Sequence, residues 1–200
     1  MAEIKEGWVK AVNEKLQKDL ELVAQAAYDN GCELLNDAQF LYEAHRYSRA
    51  TALSILAEEE LSKAFTLKLS AANKRWDSNL YSALRSHANK QGLAEALVEY
   101  IIWLKKSIEL VGGLAWTFSD EEKFKEVVAK AKKRLRKPVK DHLKQDALYV
   151  SLHENGKLKS RPKDITRADA ENSLHSAEIF QIMVALLFDD ESAYERFLRI

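Results

Sequence analysis

Ala57-Glu58-Glu59-Glu60-Leu61-Ser62-Lys63-Ala64 sets four charged residues inside what reads as a buried helix. Between Tyr47 and Leu69, the residues Ala50, Leu53, Ala57, Glu60, Ala64 and Leu67 recur at alternating steps of three and four, the spacing of one helical face. Glu60 falls on that stripe. An ionised carboxylate left unpaired in a core is costly, so Glu60 must find a partner, stay protonated or line a wet pocket. Lys63, one turn on, is the nearest cation, and Glu59 with Lys63 makes an i,i+4 pair in the favourable order.

Outward from this block the chain reads as helices. Upstream, Trp8, Val12, Leu16, Leu20, Val23 and Ala27, then Leu34, Ala38 and Leu41, carry a first helix from about Gly7 or Val12 to Ala44 that Asp29-Asn30-Gly31 bends or breaks. His45-Arg46-Tyr47 is a short turn, so this helix and the next, which ends near Ala72, form an antiparallel hairpin. A third helix opens at Ser78-Asn79, runs to Lys90 with Leu80, Leu84 and His87 on one face, and closes at Gln91-Gly92. The fourth spans Leu93 to Val111 and ends at Gly112-Gly113; the fifth starts at Ser119-Asp120-Glu121-Glu122 and reaches Arg136.

Pro138 then breaks or restarts the helix. Ala147 to His153 has strand character, and Asn155-Gly156 is the strongest short hairpin signal in the chain. The expected fold is therefore all-α, about six helices with a small hairpin insert near 147–162. Pro162 ends the insert and Thr166 caps a last long helix to Phe188. No linker divides the chain, so residues 1–200 are expected to form one domain.

Six glycines and two prolines in 200 residues leave helices nearly uninterrupted, and a net charge of zero fits an ordinary globular protein. The single Cys32 rules out an internal disulfide and a cysteine zinc cage. No apolar run reaches membrane-span length, and Met1 to Glu6 lack the apolar core of a signal peptide, so a cytoplasmic protein is expected. The charges are unevenly spread: up to Glu60 there are roughly twice as many acids as bases, whereas Lys123 to Lys163 holds about three bases per acid. Such a split marks either a footprint for RNA or an acidic partner, or two faces that dock on each other.

Asn30, Leu34-Leu35, Asp37-Ala38, Tyr47, Ala50, the Glu59-to-Ala64 block, Ser86-His87 with Lys90, and Ala147-Leu148-Tyr149-Val150 ahead of the Asn-Gly turn and Pro162 together resemble the AbiV family. AbiV proteins are bacterial abortive-infection factors within the HEPN group of helical domains. The likeness runs from about Asn30 to Thr166, and its more specific parts are the Glu-Glu-Leu-small-Lys-Ala block and the Leu-Tyr-Val segment. It implies a homodimeric helical bundle that stops phage propagation at the host's expense. A phage-encoded protein would trigger this latent toxin, which would attack RNA or the translation machinery. A non-catalytic protein that inhibits translation by binding a phage or host protein is the alternative.

HEPN nucleases place an Arg four to six residues before a His in a cleft between two copies. A guanidinium holds phosphate bidentately, and an imidazole moves the proton of a 2′-hydroxyl or leaving oxygen near neutral pH. The resemblance points to Arg136 and His142 as that pair, with Lys137 where the family has a small polar residue and Pro138 as an unusual insertion. A second polar group comprises Glu59, Glu60, Lys63, His87 and Lys90. It is either an acid/base or phosphate centre, or a buried ion-pair network that fixes helix register, and pairing chemistry favours the network. The basic run Lys130, Lys132, Lys133, Arg134, Lys137 and Lys140 suits RNA phosphates or forms a solvated face without aromatics for stacking. No metal is expected, because no Glu-x-x-His or His-x-x-x-His spacing adds a second ligand pair to Glu60 and His87, and no cofactor fingerprint is present.

Overall fold

The structure, a computed structural model, describes residues 9–95, 97–98 and 139–188. The expected end of the fourth helix, the fifth helix and the residues after Phe188 lie outside them. Helix α1 (Glu14–Glu43) starts at Asn13, whose side chain accepts from the Leu16 amide at 2.9 Å. It runs unbroken through Asp29-Asn30-Gly31. Gly31 faces Leu61 of the next helix, and a Cβ there would lie 2.8 Å from Leu61 Cγ, so the glycine admits a close helix contact instead of ending the helix.

His45, at φ 59°, turns the chain, and the amides of His45 and Arg46 donate back to the carbonyls of Tyr42 and Leu41. Helix α2 (Tyr47–Ala72) then returns alongside α1, with Ala38 beside Ala57, Ala27 beside Ala64 and Ala24 beside Ala71 in three core clusters. A buried leucine or phenylalanine contributes roughly 1.5–3 kcal/mol and an alanine far less. The alanines therefore set the spacing, while Leu61, Leu67, Phe180 and Val184 supply cohesion.

α2 is the central helix, buried on most of its circumference. Its hydroxyls are satisfied inside the core: Thr51, Ser54 and Ser70 each donate to the carbonyl four residues back, at 2.8 to 2.9 Å. Strand β1 (Val9–Ala11) pairs antiparallel with β2 (Arg75–Asp77). The first helix was expected to start near Gly7 or Val12, but β1 occupies Val9–Ala11 and the Asn13 cap starts α1 at Glu14; three residues are too few to show strand alternation. Asp77 then caps α3 (Ser78–Arg85) by accepting from the amides of Asn79 and Leu80.

The third helix was expected to continue to Lys90, but it stops at Arg85. Ser86 is extended, its hydroxyl accepts from Asn89, and a new helix α4 covers residues 87–95 and 97–98, passing straight through Gly92. Pro138 lies outside the described residues; helix α5 (Val139–Leu148) includes Ala147 and Leu148, so the insert begins later than expected. β3 (Ser151–Leu152) and β4 (Leu158–Ser160) form the hairpin, turned at Gly156 with φ 76°. Thr166 and Asp169 make a reciprocal capping box for α6 (Arg167–Leu186), whose Phe180 and Val184 close the core against Ala27, Leu61 and Leu97. The architecture is an all-α bundle with a small β insert. No helix among the described residues is long and apolar enough to cross a membrane.

Candidate functional site

Successive residues on a helix point about 100° apart, so Glu58, Glu59 and Glu60 meet three different environments. Glu58, 1 % exposed, faces α5 and α6: both its oxygens lie 2.7 Å from Lys140 Nζ, and the Ser176 hydroxyl donates to Oε1 at 2.6 Å. Glu59, 2 % exposed, faces α4 and α5. Its Oε1 accepts from Lys144 Nζ at 2.6 Å and from the Gln91 amide at 2.7 Å, while Oε2 takes a very short hydrogen bond from His87 Nδ1 and lies 3.6 Å from Lys90 Nζ. Lys144 also reaches Asp141 at 3.2 Å.

Glu60 is only partly covered and pairs with Lys63 at 2.9 Å. The carboxylate on the apolar stripe is thus not the buried one. A stripe of threes and fours identifies the side of α2 that meets α1, whereas α4, α5 and α6 cover a second side, where Glu58 and Glu59 point. The Glu59–Lys63 pair is likewise replaced: Lys63 goes to Glu60, three residues back.

Burial pushes the Glu59 carboxyl up, but hydrogen bonds from Lys144, His87 and Gln91 and the Lys144 charge outweigh it and hold the group below the usual glutamate value. Among the described residues, three carboxylates (Glu58, Glu59 and Asp141) face three ammonium groups (Lys90, Lys140 and Lys144), and their charges balance. With its acceptors filled and its charge balanced, it has little left to attract a substrate anion. It ties α2 to α4 and α5. His87 is the most exposed of these side chains, at 58 %; with Nδ1 donating to Glu59, Nε2 is the ring nitrogen left to solvent.

Of the residues expected in this cluster, His87 and Lys90 meet Glu59, whereas Glu60 and Lys63 pair apart from them. Glu58, Gln91, Lys144 and Ser176 join without having been expected. Lys140, expected on RNA, is committed to Glu58. The spacing of Lys140, Lys144 and Ala147 places the three on one helix face, and that was the available signal. His142 lies about half a turn away from both lysines and is exposed. Arg136, Lys130, Lys132, Lys133, Arg134 and Lys137 lie outside the described residues. Cys32 is partly buried and accepts from Gln181 at 3.5 Å.

A model of the HEPN domain family described as AbiV matches residues 19–181, from within α1 to within α6. No curated protein and no solved structure matches the chain.

Proposed function

The chain belongs to the AbiV family of HEPN-type helical domains, a family of abortive-infection proteins, and from that premise we propose that it is a latent toxin that cuts RNA when a phage-encoded protein engages it. One observation carries this reading: His142 is exposed on the face of α5 opposite Lys140 and Lys144, which are pinned to α2 by the Glu58 and Glu59 carboxylates. The imidazole is presented outward from a rigid support, as a proton-transferring group needs. In the cleavage step a base takes the ribose 2′-hydroxyl proton, the freed oxygen attacks phosphorus, the bond to the 5′-oxygen breaks, and that oxygen is reprotonated. His142 handles a proton and Arg136 holds the phosphate; a cyclic phosphate is left and no metal is required.

The working form is a homodimer in which two copies of His142 face one cleft. Directly after α5, the exposed apolar residues Leu148, Tyr149, Val150, Leu152 and Leu158 offer a surface for the second copy. The same surface supports a second reading, in which it seizes a phage or host protein and inhibits translation without chemistry. Purified protein should cut single-stranded RNA in the presence of a chelator, leaving cyclic phosphate ends. His142→Ala should slow cleavage at least a hundredfold and abolish phage protection without changing the thermal midpoint. Protection that survives His142→Ala rejects the nuclease reading and leaves the non-catalytic one.

A further inference from the structure

A cleft lies beside the α1–α2 turn, away from the ionic cluster and the hairpin loop. It holds about 410 Å³ and is walled by the turn and first residues of α2, the end of α5 and the turn at Pro162. Its polar side comes from the run His45-Arg46-Tyr47-Ser48-Arg49, where bases alternate with aromatic rings, and from Lys163 across the cleft. Among the described residues no carboxylate lines it. Arg46, Arg49 and Lys163 are exposed. The nearest acid in sequence, Asp164, is held by Arg161 at 2.9 Å. The Lys163 charge acts on the neighbouring Asp164 carboxylate, whereas Arg46 and Arg49 form no salt bridge among the described residues, and an entering anion would be drawn chiefly to the two guanidinium groups.

The apolar side is supplied by Ala147, Leu148 and Ile165, which limit water around the charges and strengthen an ion's contacts. Two arginines three residues apart present planar forks suited to phosphate oxygens. His45 Nδ1 and the Tyr47 hydroxyl share a hydrogen bond of 2.9 Å, and their rings stand 5.9 Å apart, which fixes aromatic surface at the rim. α2 also starts here without a side-chain cap, which adds weak anion attraction but would not make a site alone.

We propose that this cleft binds the phosphate of a nucleotide unit, and that its occupant is single-stranded RNA whose next bases stack on the His45–Tyr47 rim. The choice of RNA rests on the proposed attack on RNA; the phosphate chemistry does not. Leu148 of the cleft lies about 9 Å along the α5 axis from His142, at 1.5 Å per residue. One strand can therefore be gripped at the end of α5 and presented to the exposed imidazole.

The test uses the full chain carrying His142→Ala, so that RNA is not consumed, with fluorescein-labelled single-stranded RNA followed by anisotropy at several salt concentrations. Adenosine monophosphate and inorganic phosphate serve as competitors. Adding Arg46→Gln and Arg49→Gln should weaken binding at least tenfold and reduce the salt slope by about 1.4, at about 0.7 for each phosphate no longer neutralised. Arg46→Lys with Arg49→Lys keeps the charge and should recover part of the affinity, and unchanged melting curves show that both variants are folded. Competition by the mononucleotide at concentrations comparable to RNA would assign the cleft to a free nucleotide and overturn the RNA occupant. Affinity and salt slope unchanged in the double glutamine variant, or no binding of any probe, would overturn the site. RNA that binds through the arginines but is never cut by the His142-containing chain removes the nuclease reading and leaves the cleft standing.

Discussion

Replacing Glu59 by Gln keeps the side chain's shape and removes its charge. Lys144, 5 % exposed, would then keep only Asp141 at 3.2 Å, itself a third exposed, and Lys90 would lose its carboxylate at 3.6 Å. Breaking a buried pair from one side costs about 3–5 kcal/mol, because the stranded charge stays desolvated. At about 2–4 °C per kcal/mol for a chain of this size, the melting point should fall by roughly 6–20 °C. Glu60→Gln removes a carboxylate whose pair with Lys63 is 22 % and 34 % exposed, so it should cost less than about 1 kcal/mol. Urea unfolding followed by far-ultraviolet circular dichroism measures both. In a cycle with Lys144→Met, the double variant should lose less than the sum of the single losses by about 0.5–3 kcal/mol, since the stranded ammonium is gone. Equal losses at positions 59 and 60, or a Glu59→Gln loss under about 1 kcal/mol, would refute the clamp. A Glu59→Gln protein as stable as the parent but silent in phage protection would move the cluster from structure to chemistry.

The acid limb gives an independent reading of the same carboxylate. Its folded value lies below the unfolded one, so its contribution is complete above the unfolded pKa, about 4.3, and is lost as pH falls through the folded value. The urea midpoints of parent and Glu59→Gln should stay a constant distance apart from pH 7 to about 5 and converge below about 4; convergence already above pH 5 would implicate another group. Lys140→Gln should cost about 2–3 kcal/mol in urea unfolding, less than a fully buried pair because Lys140 is 19 % exposed; a loss under about 0.5 kcal/mol would show that the pair to Glu58 adds little. Gly31→Ala gains up to about 1 kcal/mol of helix propensity but drives a methyl into Leu61, which has no room to withdraw, for a net loss of about 1 kcal/mol in a thermal melt. A more stable Gly31→Ala protein would show that α1 and α2 separate easily.

Features governed by near neighbours were legible in the residues. The α1–α2 hairpin, the end of α2 at Ala72, the Asn155-Gly156 turn and the Thr166 cap each depend on periodicity or on bonds within four residues. The bend at Gly31 and the placing of Glu60 in the core were misread for one reason. A helix wheel has no knowledge of how many neighbours a helix meets, and α2 meets them nearly all round. On such a helix a charged residue beside the stripe can be deeper than one on it. The partners of Glu59 lie 28 residues away at His87 and 85 away at Lys144, beyond any local rule. Lys140 and Lys144 also sit in a basic stretch whose composition resembles a solvated face, so composition concealed two of the chain's most committed ammonium groups.

α5 has a divided role that follows from this pairing. One face gives Lys140 and Lys144 to α2, the opposite face exposes His142, and the C-terminal end supplies Ala147 and Leu148 to the basic cleft. Among the described residues, α5 is anchored by the two ion pairs and by Ala147, which is 1 % exposed. Loosening either pair should shift His142 and the cleft together, reducing RNA affinity and protection alike. A loss of protection in a Glu58 or Glu59 variant consequently identifies neither residue as catalytic. What separates the cases is rescue: activity lost through orientation returns when a compensating substitution restores the stability of the α2–α5 contact, whereas activity lost with a reacting group does not.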